Sequence, residues 1–168
     1  AFIQVFSYLP IGAVINKTTF CIHGGLSPKY DLINVLNEKI KRPISSFEEI
    51  ELVSDLLWGD PTSDINLSFY DNPRGYGYLF NRKAVYEFIN INSIQRLVRA
   101  HQCINNGWRS CFNGKCITVF SASSYSQYLR NFSAVLHLFQ NDDYIKATTF
   151  HPINRLNKSE AIYYKVQP

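Results

Sequence analysis

A chain of 168 residues with 46% hydrophobic and 15% aromatic residues is one ordinary domain with ample material for a packed core, which excludes a disordered tail. The net charge of +4 is mild and its Lys and Arg are scattered; the densest run, Lys39-Ile40-Lys41-Arg42, reads as a solvated helix end, so no nucleic-acid partner is expected. No apolar run approaches the roughly 18 residues of a membrane span, so none is expected. In chain order, Pro10 ends a first helix-like segment, residues 11–16 read as a short strand, and Asn16-Lys17 as a turn. The β-branched and aromatic residues 18–22 form a second strand that stops at His23-Gly24-Gly25. Residues 30–41 carry apolar side chains at 32, 35, 36 and 40, a helical spacing closed by Pro43. Ser46 with Glu49 is a capping-box pattern opening a helix through 57. The Pro, Gly, Asp and Asn of residues 59–75 predict one long loop, and 84–91 a third helix. Strands follow at 97–100, 116–120, 134–139 and 144–150, with Asn113-Gly114 as a primed two-residue hairpin turn. Helices first and strands after give a mixed α/β domain whose chemistry sits at strand ends.

Four cysteines without a secretory leader point to a reducing, intracellular compartment, cytoplasmic or nuclear, with the thiols as small buried hydrophobes or metal ligands. The chain has no Met and begins directly in an apolar stretch, so it is expected to be part of something longer.

Two histidines end strands. His23 follows 18–22 and precedes two glycines, which admit backbone or substrate without a Cβ in the way; a core His capping a strand is the alternative. His101 ends Leu97-Val98-Arg99-Ala100 in the same manner. Both can face one metal, but two imidazoles do not complete a site. His101, Cys103, Cys111 and Cys116 lack the paired spacing of a zinc knuckle. The hairpin instead pairs Phe112 with Lys115 and sets Cys111 opposite Cys116 in a non-hydrogen-bonded pair, where a disulfide can form on oxidation and two neighbouring thiols are expected otherwise. Arg74, beside Gly75, can fork onto a phosphate or be solvated; Tyr125 can donate from its phenol or be a loop aromatic; Asp60 is an acidic partner of a site or a turn former.

It is the order of these segments that is specific. Phe20-Cys21-Ile22-His23-Gly24-Gly25-Leu26-Ser27-Pro28, Asp55-Leu56-Leu57-Trp58-Gly59-Asp60-Pro61, Arg74-Gly75, Leu97-Val98-Arg99-Ala100-His101-Gln102 and Phe120-Ser121-Ala122-Ser123-Ser124-Tyr125 together resemble the PPP family of metal-dependent protein serine/threonine phosphatases, of the calcineurin-like metallophosphoesterase fold. The resemblance implies a two-layer β-sandwich with flanking helices, two divalent metal ions (manganese, iron or zinc) between strand ends, and hydrolysis of protein phosphoserine or phosphothreonine by a metal-bridging hydroxide. By motif, His23 and His101 match metal ligands, Arg74 a phosphate-binding arginine, Tyr125 a pocket-wall tyrosine near the hydroxide, and Asp60 an acidic residue beside the metals. Phosphoprotein substrates and a regulatory or scaffold protein are the implied partners.

The family's Gly-Asp-x-His-Gly, Gly-Asp-x-Val-Asp-Arg-Gly and Gly-Asn-His-Glu motifs, which carry the other ligands, are not among the 168 residues. The chain therefore matches the C-terminal half of one catalytic domain and is expected to be inactive by itself. Gly59 stands for the usual Ser, Asn81 for the usual Gly, and residues 126–131 lack acidic side chains common there. Two further readings are a pseudophosphatase half-fold that binds a protein partner without catalysis, and a binding module with a single-metal His site.

Overall fold

The computed structural model describes residues 2–29, 31–139, 144–153, 159 and 162. A short helix, α1 (Phe2–Phe6), ends ahead of Pro10, and β1 (Gly12–Ile15) turns through Asn16 and Lys17 into the antiparallel β2 (Thr19–Ile22). Both turn residues hold positive φ, 50° and 59°, the primed geometry whose twist matches that of the strands. The helix expected from residue 30 starts later, as α2 (Ile33–Lys39); Tyr30 lies outside the described residues. Leu32 supplies no cap, and the Ile33 amide instead donates to Asn92 Oδ1 at 2.8 Å from the far end of another helix.

Helix α3 (Phe47–Trp58) opens on the expected capping box: Ser46 Oγ accepts from the Glu49 amide at 3.1 Å, and Glu49 Oε2 accepts from the Ser46 amide at 3.0 Å. The amides of Ser45 and Lys41 donate to the same carboxylate. These backbone hydrogen bonds hold the Glu49 carboxyl at about 2. A depressed carboxyl stabilises the fold above the unfolded value near 4.3, and that contribution disappears as pH falls toward about 2. Glu49→Ala is accordingly expected to lower the urea midpoint at pH 7, with the gap to the parent protein closing at pH 2; an equal gap at both pH values contradicts the ionised cap.

The long loop predicted for 59–75 is corrected by the structure. β3 (Asp60–Pro61) and β4 (Phe69–Asp71) lie in it, and both pair with β5 (Tyr78–Phe80) in a small sheet of order β3-β5-β4. Strands of two or three residues are too short to show a period of two, which is why turn-forming residues hid them. Asn81 then caps α4 (Arg82–Ile91), its Oδ1 accepting from the Ala84 amide at 3.2 Å.

β6 (Arg96–Arg99), β7 (Trp108–Cys111) and β8 (Cys116–Val119) complete a five-stranded sheet of order β1-β2-β6-β8-β7. Its three central strands are parallel and its edges antiparallel. Phe20, Leu97 and Cys116 are neighbours in register on one face. They join Leu36, Leu52, Leu56, Val85 and Phe88 from the three helices in one buried core. β9 (Ser133–Leu138) and β10 (Ile145–Phe150) form a separate two-stranded sheet. The β7–β8 turn has the expected register, Cys111 opposite Cys116, but Phe112 shares the positive φ of Asn113 and Gly114, which seats its ring against the core. No helix among the described residues is long and apolar enough to cross a membrane.

Candidate active site

Because β2 and β6 run parallel and adjacent, their carboxyl ends open on the same edge of the sheet, the usual place for a site in such folds. His23 follows β2 and His101 follows β6. The Ala100 amide donates to the His23 carbonyl at 2.9 Å, tying the two strand ends, and the imidazole centroids lie 5.2 Å apart, edge to face. The Gln102 amide donates back to the Ala100 carbonyl at 2.6 Å, a γ-turn centred on His101 with φ of +58°. A left-handed non-glycine residue costs of order 1–3 kcal/mol, and such strain collects where a side chain must be aimed.

Gly24 and Gly25 are not openings for substrate. Their amides donate to the Leu56 carbonyl at 2.9 and 3.0 Å, and a Cβ on Gly24 would collide with the Leu57 backbone, one on Gly25 with the Phe80 ring. They let the loop after His23 press onto the end of α3. Ser27 Oγ donates to Asp55 Oδ2 at 3.0 Å, and Lys29 Nζ bridges Asp55 and Glu51, fastening the rest of that loop to the same helix.

His23, His101, Arg74 and Tyr125 line one open cavity of about 930 Å³, together with Trp58 and Arg109. Trp58 meets His101 edge-on at 5.1 Å. Tyr125 is 62% exposed, its ring edge-on to Phe120. Its amide donates to Asn131 Oδ1, and buried Asn131 in turn donates to the carbonyls of Ala122 and Phe132. That residue, read in sequence only as part of a loop short of acids, is what shapes the loop.

Asp60 is placed differently. It is 3% exposed, beneath the cavity instead of in its wall, and it accepts from Arg74 Nε at 2.8 Å and from Arg99 Nη2 at 2.9 Å. Its part is to position Arg74, leaving the rest of that guanidinium for the cavity. Arg99, which sequence reasoning passed over as a strand residue, is wholly buried and ties the motifs together. It donates to the Gly24 carbonyl at 2.6 Å, the Gly59 carbonyl at 2.8 Å, Gln102 Oε1 at 3.1 Å and Asp60. A basic residue set between Val98 and Ala100 at the end of a buried strand was the signal available.

Burial pushes both imidazoles below their ordinary value. The Arg99 guanidinium adds to this at His23, while at His101 Asp60 opposes and Arg99, His23 and Arg74 reinforce. The neutral ring is the form with a lone pair for a metal. His101 Nε2 is moreover buried with no hydrogen-bond partner, an atom that a metal ion would satisfy. The pair thus fits a divalent metal ion as two of its ligands. Among the described residues no group of three His, Cys, Asp or Glu is placed to hold one.

A strand-end cavity with paired imidazoles and an arginine clamped on a carboxylate defines the class, and the family comparison agrees with it: residues 1–105 match the calcineurin-like phosphoesterase model, and the chain belongs to that family. Membership in this metallophosphoesterase family implies divalent metal ions at the site. Among individual proteins, the chain is 39% identical over 149 residues to the serine/threonine-protein phosphatase 4 catalytic subunit of Kluyveromyces lactis, a match covering 87% of this chain and 46% of that protein. It is 34% identical over 173 residues to the serine/threonine-protein phosphatase PP2A-like PPG1 of Saccharomyces cerevisiae, covering 95% and 46%. The fold is similar to the solved structure of a protein serine/threonine phosphatase from Saccharomyces cerevisiae with similarity to human phosphatase PP5, with a TM-score of 0.76 at 24% identity, covering 92% of this chain and 50% of the other. The chain spans about half the length of the relatives it matches.

Proposed function

We propose that the complete protein hydrolyses phosphoserine and phosphothreonine in protein substrates with two divalent metal ions, of manganese, iron or zinc, and that residues 1–168 supply the C-terminal half of its catalytic domain. The observation that carries this is the convergence of His23, His101, Arg74 and Tyr125 on one cavity from four separate segments. The family's other ligands belong to the half of the fold that the relatives have and this chain does not span. An apolar concavity of about 440 Å³ on the sheet, lined by Ala13, Cys21, Val98 and Val119, is consistent with further chain packing there. The non-catalytic scaffold reading has no feature of its own among the described residues.

When bound, the metal ions supply Lewis-acid activation of water and of the phosphoryl oxygens. His23 and His101 would hold one of them through neutral imidazoles. Arg74, oriented by Asp60 through Nε, offers its remaining N–H groups to the phosphate oxygens as charge builds on them. Tyr125 borders the same cavity with a phenol able to donate a proton or a hydrogen bond. The free thiols support an intracellular location, and a regulatory or scaffold protein is a proposed partner.

The test is phosphate release from a phosphoserine peptide by the complete protein, with and without Mn²⁺. Activity that EDTA abolishes and Mn²⁺ restores is the expected result, and Arg74→Ala should lower kcat/KM about 10²–10³-fold while leaving metal affinity unchanged. Equal loss of phosphate and metal binding would make Arg74 structural. No metal-dependent release from the complete protein overturns the reading.

A further inference from the structure

We infer that Cys111 and Cys116 are a reversible oxidation site, closing an intramolecular disulfide across the β7–β8 hairpin when a peroxide is present. The register sets the two residues directly opposite each other on an antiparallel pair. Opposed residues in such a ladder have Cα atoms about 4.5–5.5 Å apart, inside the span of about 4.4–6.8 Å that a disulfide bridges, so no backbone movement is required. The side chains share a face, as directly opposed residues do, and Cys111 Sγ donates to the Cys116 carbonyl at 3.3 Å. Their accessibility differs in a useful way: Cys116 is wholly buried in the core, whereas Cys111 is only partly covered.

The surroundings divide the work between the two sulfurs. The Cys116 side chain, as a thiol partner, lowers the Cys111 thiol, burial opposes this, and the positive charges of Arg99 and Arg109 add to the lowering. The Cys111 side chain and burial raise the Cys116 thiol well above its ordinary value. A partly exposed thiol opposite a wholly buried one is the pairing of an attacking and a resolving cysteine. The Cys111 thiolate attacks one oxygen of hydrogen peroxide, giving Cys111 sulfenic acid and hydroxide, which takes up the proton Cys111 had lost. The Cys116 sulfur then attacks the sulfenic sulfur, loses its proton and expels water. The sum is two thiols and one peroxide to one disulfide and two waters, with both electrons passing to the peroxide.

Cys21 and Cys103 make a built-in contrast. Cys21 lies on β2 opposite Ala13 and Val98, and Cys103 lies on the loop after His101 outside any strand, so neither faces a second cysteine in the ladders. The new bond lies two residues along β7 from Arg109, which lines the cavity.

Trypsin separates the pair, since Lys115 stands between them. The experiment exposes the protein to equimolar hydrogen peroxide, blocks remaining thiols with N-ethylmaleimide and digests without reductant. The expected product is peptide 110–115 joined to peptide 116–130, lighter than their sum by two hydrogens and released by dithiothreitol, with the Cys21 and Cys103 peptides still alkylated. Recovery of both hairpin peptides alkylated, or of Cys111 as an unlinked sulfinic acid, overturns the inference. In the Cys116→Ser variant dimedone should label Cys111; an unlabelled Cys111 overturns its role as the attacking sulfur. The readout is a peptide mass and holds whether or not the protein is a phosphatase.

Discussion

Arg99→Met is expected to destabilise the protein by about 3–5 kcal/mol, the cost of breaking a buried ion pair by removing one partner. The arginine side chain has no solvent-exposed surface, and among the described residues it alone donates to the Gly24 and Gly59 carbonyls and to one oxygen of Asp60. Methionine fills much of the volume but leaves two carbonyls of tightly packed loops without donors, each costing about 1–3 kcal/mol in the interior. Arg99→Lys keeps the charge but cannot reach acceptors on three sides, and should recover less than half of the loss. Arg74→Ala is the control: it removes the other arginine on Asp60, but from a half-exposed position, where such pairs are worth about 1 kcal/mol or less. Urea denaturation of the four proteins side by side measures this. An Arg99→Met variant within about 1 kcal/mol of the parent would mean that the motifs hold together without the clamp.

The legible and illegible parts of this molecule divide on a physical line. Local patterns read well: the capping box at Ser46 and Glu49 formed as spaced, and the Cys111–Cys116 register followed from one turn. The site residues were visible because His23 and His101 each end an apolar strand, a one-dimensional signal. What brings them together is not one-dimensional. The parallel pairing of β2 and β6 spans three helices and a small sheet, and no spacing encodes it. Asp60 was recognised as a site residue or turn former, but its depth was not legible, because burial depends on β5 and Arg99, which pack around it from distant segments. The glycines after His23 were read as room for backbone or substrate, and it is backbone at the end of α3, with the Phe80 ring, that fills that room.

His101→Asn should separate chemistry from folding more cleanly than alanine does. Position 101 holds φ at +58°, and asparagine tolerates that left-handed geometry where most side chains are strained by it. The substitution also removes a buried nitrogen that has no hydrogen-bond partner, so the fold should change by less than about 1 kcal/mol. The metal site should not survive it. Losing an outer partner of a metal-bound residue costs about 10–100-fold, so losing the ligand itself is expected to cost the complete protein more than about 100-fold in metal-dependent phosphate release. His23→Asn should match that loss, and the double variant should be no worse than either, since groups that act as a unit do not add. His137→Asn serves as the control, an exposed ring on β9 whose Nε2 bonds Thr148 at 2.9 Å. The measurements are Mn²⁺-dependent turnover and the rise in melting temperature that Mn²⁺ produces. If His101→Asn keeps both within tenfold of the parent, or if the two histidine losses multiply, the imidazoles do not share one ion and the pairing at 5.2 Å needs another explanation.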